Sequence, residues 1–582
     1  VGAGPAGATA ALALATYGIR TQVVSRFNWV ADGPRAHITN QRAGEVLRDL
    51  GVEEDVRRYA TPWELMGDTV FATSLAGEEI GRIRAWGTGD ERHGDYAQAS
   101  PCEMLDVPQP YMEPVLVNHA AARGASFAFH TEYLGHEQDE EGVDVSLEDR
   151  STGRRFTVRA AYLIGADGAR SRVVEDLGLE LEGQLARAAT AYVLFRADLA
   201  RYVEHRPSVL YWLMTPTAAF GEIGMGLLRA IRPWHSWIAG WGLPMGEEPD
   251  FSDGAVTAKI RSLVGDPELE PELGARSTWY VNQASAARFS SGRVFCAGDA
   301  VHRHPPSNGL GSNTSMQDAF NLAWKLAYVI NGHAGAALLH SYDRERVPVG
   351  REVVARANRS RLDFGPLNKC FATTGEADPV AAGLAQLRDP SPAGADRRAA
   401  LGEALALKNY EFNAHGVDLN QRYASDAVIA DATAGEEEWP SDRELYVQAS
   451  TRPGAKLPHA WLVDRRGRRV STLDVTGKGK MTLLTGLSGQ AWVSAAAELD
   501  LAFLRVVVIG EAGAQDLYGA WAALREISEA GALLIRPDGY VAWRQPLAVH
   551  DQAQAGSQLR AAIDAVLARG PDHDRNAPAT IS

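Results

Sequence analysis

A chain of 582 residues is longer than one hydrophobic core supports, roughly 250–300 residues, so two or three domains are expected. Apolar residues make up 45% and charged residues 23%, the balance of an ordinary globular protein, and no run approaches the ~20 apolar residues of a membrane-spanning helix. The formal charge of −15 disfavours nucleic acid, whose backbone needs Lys and Arg.

The three cysteines, Cys102, Cys296 and Cys370, form no CxxC pair, and an odd count argues against a disulfide framework. A reducing cytoplasm is therefore expected, and no basic-then-apolar leader opens the chain. The opening residues read as a strand end, a glycine turn and an Ala/Leu-rich helix, with a short strand following at Thr21–Val24. The turn is Gly2-x-Gly4-x-x-Gly7. Its glycines let the backbone approach phosphates, and the helix N-terminus favours their negative charge, so a dinucleotide is the expected ligand. Ser25 stands at the end of the second strand, where an acidic ribose-binding residue is usual. Its hydroxyl can still hydrogen-bond a ribose.

Asn40 to Leu50 reads as a helix, and 68–85 and 127–163 alternate like strands. Leu163 to Gly165 runs into Asp167-Gly168, and Val294 to Ala297 runs into Gly298-Asp299. Between 186 and 280, short aromatic and β-branched runs predict an antiparallel sheet. Tyr211, Trp212, Trp234, Trp237 and Trp241 are candidates for a pocket wall; alternation lets about half of them face inward. A strong helix is predicted over 312–331. Residues 371–400, rich in Ala, Asp, Gly and Pro, read as a linker. A last domain over 401–582 carries strands near 504–509, 532–535 and 540–543, with a hairpin turn at Asp538-Gly539, and helices near 516–528 and 558–568. The fold class is α/β. A dinucleotide-binding domain is expected over 1–185 and 281–370, interrupted by the sheet domain at 186–280, which also takes strands from near 68–100.

Gly2-x-Gly4-x-x-Gly7, Gly165-Ala166-Asp167-Gly168 and Ala297-Gly298-Asp299, in this order, resemble the group A FAD-dependent aromatic hydroxylases, strongly over residues 1–365 and more weakly beyond. Pro34 to Arg42 and Ala300 to Asn313 resemble the phenol hydroxylase branch and its chlorophenol hydroxylases. The resemblance implies a Rossmann-like FAD domain, an interleaved substrate sheet and a thioredoxin-like C-terminal domain without redox cysteines. It also implies non-covalent FAD, NADPH or NADH as co-substrate, and ortho-hydroxylation of a phenol-like or hydroxypyridine-like ring by O₂ through a flavin C4a-hydroperoxide. Phenol degradation and tailoring of antibiotic-type metabolites are the expected settings, and a homo-oligomer the expected assembly.

By the same resemblance, Asp299 serves the ribityl chain, and Asp167 and Gly168 serve the dinucleotide fold and nicotinamide approach. Arg35, Arg42 and Gln109 lie near FAD. Gly309, Gly311, Ser312 and Asn313 receive the flavin ring, with Pro306 beside its reacting edge. Trp279 stands near a substrate-contacting aromatic position. His37 occupies the place of a catalytic acidic residue, and an unperturbed imidazole pKa near ~6.5 suits a general base. His302 and His304 lack carboxylate or thiolate partners in sequence, so they are read as structural and no metal is expected. A flavin-dependent halogenase is the rival reading, but Trp234-His235-Ser236-Trp237-Ile238 lacks the halogenase spacing and proline. A non-catalytic flavoprotein redox switch is the other rival, and the intact 304–313 segment argues against it.

Overall fold

The computed structural model describes residues 1–215, 223–246, 248–371, 378–432 and 434–570. Three layers of structure follow from the sequence pattern. In the first, short strands Gln22–Val24 and Ser126–Ala128 pair in parallel, as do Leu163–Gly165 and Val294–Cys296. Residues 1 and 2 sit between the two pairs: Gly2 N–H donates to Val24 O, Val1 N to Ile164 O, and Ala166 N–H to Val1 O. The helix Pro5–Thr16 leaves this seam with Gly4 as its N-cap and Pro5 in its first turn, where a missing N–H costs nothing. It packs on the long helix Leu310–Ile330. The helix Gln41–Asp49 begins where Asn40 Oδ1 accepts from Ala43 N–H at 2.9 Å.

The second layer is one eight-stranded sheet. Its order is His302–Arg303, Glu272–Ala286, Leu181–Arg196, Ser236–Leu243, Gly226–Arg232, Leu210–Leu213, Asp68–Ala72 and Glu79–Arg84. All neighbours are antiparallel except Leu210–Leu213 with Asp68–Ala72, which run parallel. The helix Asp253–Val264 covers one face with Val256, Ile260, Leu263 and Val264. The sheet thus extends beyond the expected 186–280 at both ends.

The expected linker at 371–400 is corrected within the described residues. Pro379–Arg388 and Pro392–Leu407 are helices, capped by Asp378 and Ser391. Each proline occupies the first helical turn, so Pro379 and Pro392, part of the composition that reads as a linker, are helix starts. Residues 372–377 of the expected linker lie outside the described residues.

The last region carries a four-stranded mixed sheet in the order Leu504–Ile509, Met481–Gly486, Ala532–Ile535, Val541–Gln545. The turn expected at Asp538-Gly539 is present, with Gly539 at φ +82° and Arg536 N–H donating to Tyr540 O. The helix expected near 558–568 spans Gln552–Val566, whereas only Ala520–Leu524 of 516–528 is helical. The hairpin tip is pressed into the first layer. Arg536 donates to both oxygens of Glu345, at 2.6 and 2.8 Å, and also pairs with Asp538 at 2.6 Å. Lys325 donates to the same Glu345 at 2.8 Å, and all four side chains are buried. No described helix is long and apolar enough to cross a membrane.

Candidate active site

The three glycines of the opening turn differ in what fixes them. A Cβ on Gly2 would lie 2.1 Å from Ala166 O, and one on Gly7 would lie 2.0 Å from Gly2 O. Protein packing alone demands both. Gly4 has an ordinary φ of −73°, and a Cβ there would meet nothing closer than Glu113 Oε1 at 3.8 Å. The helix it opens has no side-chain cap and no acidic residue in its first turn. Free space over an uncapped helix N-terminus suits a pyrophosphate. Ser25 is buried at the end of the adjacent strand, where its Oγ accepts from Phe27 N–H at 3.4 Å.

Asp167 is already engaged. Its carboxylate accepts from Ser171 Oγ at 2.5 Å and from the N–H groups of Arg172 and Val173, so it caps the helix Arg172–Asp176. Gly168 follows at φ +79°, which makes the sharp turn possible. The equivalent residue after the other strand is different: the Asp299 side chain is exposed and free to receive a ligand hydroxyl.

The segment after Asp299 folds back beside it. Pro306 is exposed, and Gly311 and Ser312 are half-buried. A Cβ on Gly311 would sit 3.8–4.0 Å from His304 and Asp299, an ordinary contact, so the protein itself does not require glycine there. His304 Nε2 is buried without a partner, and burial together with His302 holds the imidazole down to about 4. An orphaned polar atom and two glycines with room above them fit a bound flavin dinucleotide. Gly309 is fixed by φ +66° and by Ile38, 3.2 Å from its would-be Cβ. Asn313 is turned inward. It accepts from Asn40 N–H at 3.0 Å and donates to Ile38 O and Gly309 O at 2.7 and 2.6 Å, so it braces the loop through bonds that leave its side chain no reach to a ligand.

Directly opposed residues in a sheet share a face. One row runs Phe71, Trp212, Leu227, Gly240, Tyr192; the next runs Leu210, Arg229, Ile238, Leu194; and Thr190 opposes Trp279. This face packs toward Ile38, and hence toward the 304–311 loop. Tyr192, Leu194 and Arg229 lie at mid-sheet yet remain part-exposed, so this cleft face is open in front of them; Trp279 is part-exposed on the same face, at a level where Glu272–Ala286 has no described strand on its outer side. Tyr211, Trp234, Trp237 and Trp241 belong to the opposite side and are buried with the helix Asp253–Val264. The expectation that they wall the pocket is corrected: parity puts them behind the sheet, and only Trp212 and Trp279 of the predicted aromatics face the cleft side. Trp212 itself packs edge-on against Phe364 at 4.7 Å.

His37 is buried beside this cleft. Its Nε2 lies 3.1 Å from Pro34 O and its Nδ1 3.9 Å from Asp106 Oδ1. Burial, with the Arg229 charge, holds its pKa well below the usual histidine value, so the unperturbed value used in the sequence reading does not apply. Asp106 is fully buried, takes Thr61 Oγ1 at 2.8 Å and Arg229 Nη2 at 2.5 Å, and pairs in sheet register with Ile38. Arg229 and Tyr192 were missed from sequence. The readable signal was Arg229, a charge flanked by apolar residues in Gly226-Leu-Leu-Arg-Ala-Ile-Arg232.

Arg42 is corrected too. It is buried against Glu45 at 2.9 Å and Asp538 O at 2.7 Å, facing the C-terminal region rather than the cleft. Arg35 is exposed. Gln109 Oε1 accepts from Ala36 N–H at 3.2 Å and its Nε2 donates to Glu113 Oε1 at 2.6 Å, which fixes the segment carrying Arg35 and His37 beside Gly4. Among the described residues no cluster of three His, Cys, Asp or Glu could hold a metal.

Residues 1–357 match the FAD binding domain family, and 450–570 match the aromatic-ring hydroxylase C-terminal family. The 2,4-dichlorophenol 6-monooxygenase of Cupriavidus pinatubonensis is 50% identical over 98% of this chain and 96% of its own. The phenol 2-monooxygenase of a Pseudomonas species is 44% identical over 95% and 90%. The crystal structure of the flavin-dependent monooxygenase PieE with FAD and substrate superposes with a TM-score of 0.93 at 44% identity, covering 98% of both chains. An uncapped glycine-turn helix, an exposed carboxylate after the second parallel pair and a cleft-facing sheet thus occur in a chain that belongs to the FAD-dependent aromatic-ring hydroxylases.

Proposed function

We propose that this chain hydroxylates a phenol-type ring ortho to its hydroxyl group, in the cleft between the eight-stranded sheet and the 304–311 loop. The chain is a flavin-dependent aromatic monooxygenase with FAD as cofactor, and NAD(P)H use is the norm of its family. Relatives named for dichlorophenol and phenol support the finer ring class. A Rossmann-like reading of the first layer and a thioredoxin-like reading of the last rest on strand order and on the resemblance, and are part of this proposal.

The residues divide by what they can do. Gly4 and the helix N-terminus behind it would take the pyrophosphate, with Ser25 near the adenosine ribose and Asp299 on the ribityl hydroxyls. Gly311, Ser312 and Pro306 would border the flavin ring, with Gly2, Gly7, Gly168, Gly309, Asn313 and Asp167 holding the backbone that surrounds it. When bound, FAD supplies the redox chemistry, taking reducing equivalents from NAD(P)H and activating O₂.

The protein must present an electron-rich ring and keep water away. Arg229 carries this reading: a part-exposed guanidinium on the cleft face, held in place by Asp106, favours the anionic form of a ring hydroxyl. Trp279 and Tyr192 would flank the ring and exclude solvent. Neutral His37, against Pro34 O, would hold the Ile38 strand in position beside the cleft.

The test is NAD(P)H oxidation by the flavin-loaded protein with a panel of phenols and hydroxypyridines, alongside product mass. Ring-dependent oxidation with a gain of one oxygen supports the proposal. Peroxide as the sole product from every phenol overturns the ring class.

A further inference from the structure

Asp299 is delivered by a turn whose fastening lies elsewhere in the chain. Gly298 sits at φ +67°, and its N–H donates to Asp318 Oδ2 at 3.0 Å. The same oxygen meets His302 Nε2 at 2.7 Å, and the other takes Arg346 Nε at 2.7 Å. Asp318, His302 and Arg346 are all fully buried. A carboxylate is a rigid plane, so a displaced Arg346 must swing both oxygens and carry the Gly298 turn with them.

The distal end of Arg346 is fixed from the C-terminal side. Its Nη1 donates to Gln421 Oε1 at 3.0 Å and to Tyr423 Oη at 2.9 Å. Gln421 donates in turn to Gln317 Oε1 at 3.0 Å, which closes a ring, because Gln317 and Asp318 are neighbours on one helix. Tyr540, on the hairpin that follows, stacks on Tyr423 with centroids 4.0 Å apart. Hydrogen bonds joined in a buried ring reinforce one another and hold the joined groups in place.

We propose that Gln421 and Tyr423, with Tyr540 behind them, are positioning residues for the flavin. They lie outside residues 1–357, the stretch matched by the FAD binding domain family. They fix Arg346, Arg346 fixes Asp318, and Asp318 fixes the turn that presents Asp299. The C-terminal region is thereby part of the cofactor site without touching the cofactor. This rests on the reading of Asp299 as a flavin contact.

The experiment titrates FAD into full-length apoprotein, followed by flavin fluorescence, with the apoprotein melting temperature and the visible circular dichroism of the bound flavin as parallel readouts. Gln421→Leu and Tyr423→Phe are each expected to raise the FAD dissociation constant about five-fold to ten-fold, the loss of roughly one buried hydrogen bond. Gln421→Glu keeps an acceptor for Arg346 but loses the donor to Gln317, and is expected to fall between wild type and Gln421→Leu. Glu526→Gln, which loosens contacts with Ser450 and Thr451 inside the C-terminal region, is expected to lower the melting temperature and leave FAD affinity unchanged. A folded Gln421→Leu protein with wild-type FAD affinity overturns the proposal. So does an equal loss of affinity in Glu526→Gln, which would mark general destabilisation. Should Gln421→Leu fail to fold, Tyr423→Phe decides alone, since it deletes one hydroxyl. Asp299→Ala separates this inference from its premise: weakened FAD binding there with neutral Gln421→Leu overturns the positioning role only, and unchanged binding in Asp299→Ala overturns both.

Discussion

Arg229 Nη2 lies 2.5 Å from Asp106 Oδ1, and this contact joins the middle of the eight-stranded sheet to the strand that pairs with Ile38. Asp106 has no exposure and the Arg229 side chain has 13%, so the pair is mostly desolvated. Arg229→Met leaves a buried carboxylate with Thr61 as its remaining donor. The expected loss is about 3–5 kcal/mol of stability, by urea unfolding, together with a KM for the ring raised at least ~10-fold. Arg229→Lys keeps the charge without the planar fork, and is expected to recover KM only in part. An unaltered KM in a folded Arg229→Met protein would remove Arg229 from ring binding.

The opening glycines separate packing from ligand contact. Gly2→Ala forces a Cβ into Ala166 O and is expected to unfold or strongly destabilise the protein. Gly4→Ala finds open space at an ordinary φ, so melting temperature is expected to hold within a few degrees while FAD affinity falls. Equal FAD affinity for Gly4→Ala and wild type would place the phosphates elsewhere.

Asp299→Ala removes an exposed carboxylate with no structural task among the described residues. A charged hydrogen bond is worth about 1.5–3 kcal/mol, so the FAD dissociation constant is expected to rise roughly 10-fold to 150-fold with an unchanged apoprotein melting temperature.

Trp279 and Trp237 stand on opposite faces of the sheet. Trp237→Ala opens a cavity in a fully buried core and is expected to cost roughly 3–5 kcal/mol. Trp279→Ala is expected to leave stability nearly intact and to increase the share of NAD(P)H consumption that ends in peroxide. Oxygen-electrode and product assays on the two variants read the contrast directly.

Burial depresses five histidines, His136 the least buried of them; the other four are His37, well below the usual value, His304 and His459, to about 4, and His415, to about 3. The unfolded chain protonates each near pH ~6.5, so below that pH it binds protons the native state refuses. Their stabilisation is complete above pH ~6.5 and is lost toward pH 4, at about 1.4 kcal/mol per pH unit for each histidine. Asp418, raised to about 6 by burial, works the other way and offsets one of them as pH falls from 6. Urea unfolding at pH 7.5 and pH 5 is expected to show the net loss, and His415→Gln to reduce the slope by about one proton. The same depression predicts that His37→Gln leaves the pH profile of kcat/KM near pH 6.5 unmoved; a limb at pH 6–7 that vanishes in this variant would restore His37 as a titrating base.

Much of the cofactor side was legible because its signals are local. The glycine turn, Asp167-Gly168 and Gly298-Asp299 are contiguous motifs whose backbone geometry is set by neighbours in sequence. The cleft was less legible. Alternation relates Tyr211 to Trp212 as opposite faces, but each is buried in an apolar cluster of its own, so composition gives no sign of which face meets the loop. Arg42 shows a different limit. Its partner Asp538 lies 496 positions away, and no local pattern announces such a contact. The prolines at 379 and 392 misled for a third reason, since the same residue stops a helix from inside and starts one at its first turn.

The hairpin tip that meets Glu345 also orders events in time. Glu345 and Lys325 leave the ribosome long before Arg536, which lies 191 positions beyond Glu345. Until that arginine and Asp538 arrive, the nascent FAD region holds the Lys325–Glu345 pair with part of its buried hydrogen bonding still unmade. Closure of that region therefore waits on residues 536–538, and a chain halted before them keeps Glu345 and Lys325 without these buried partners.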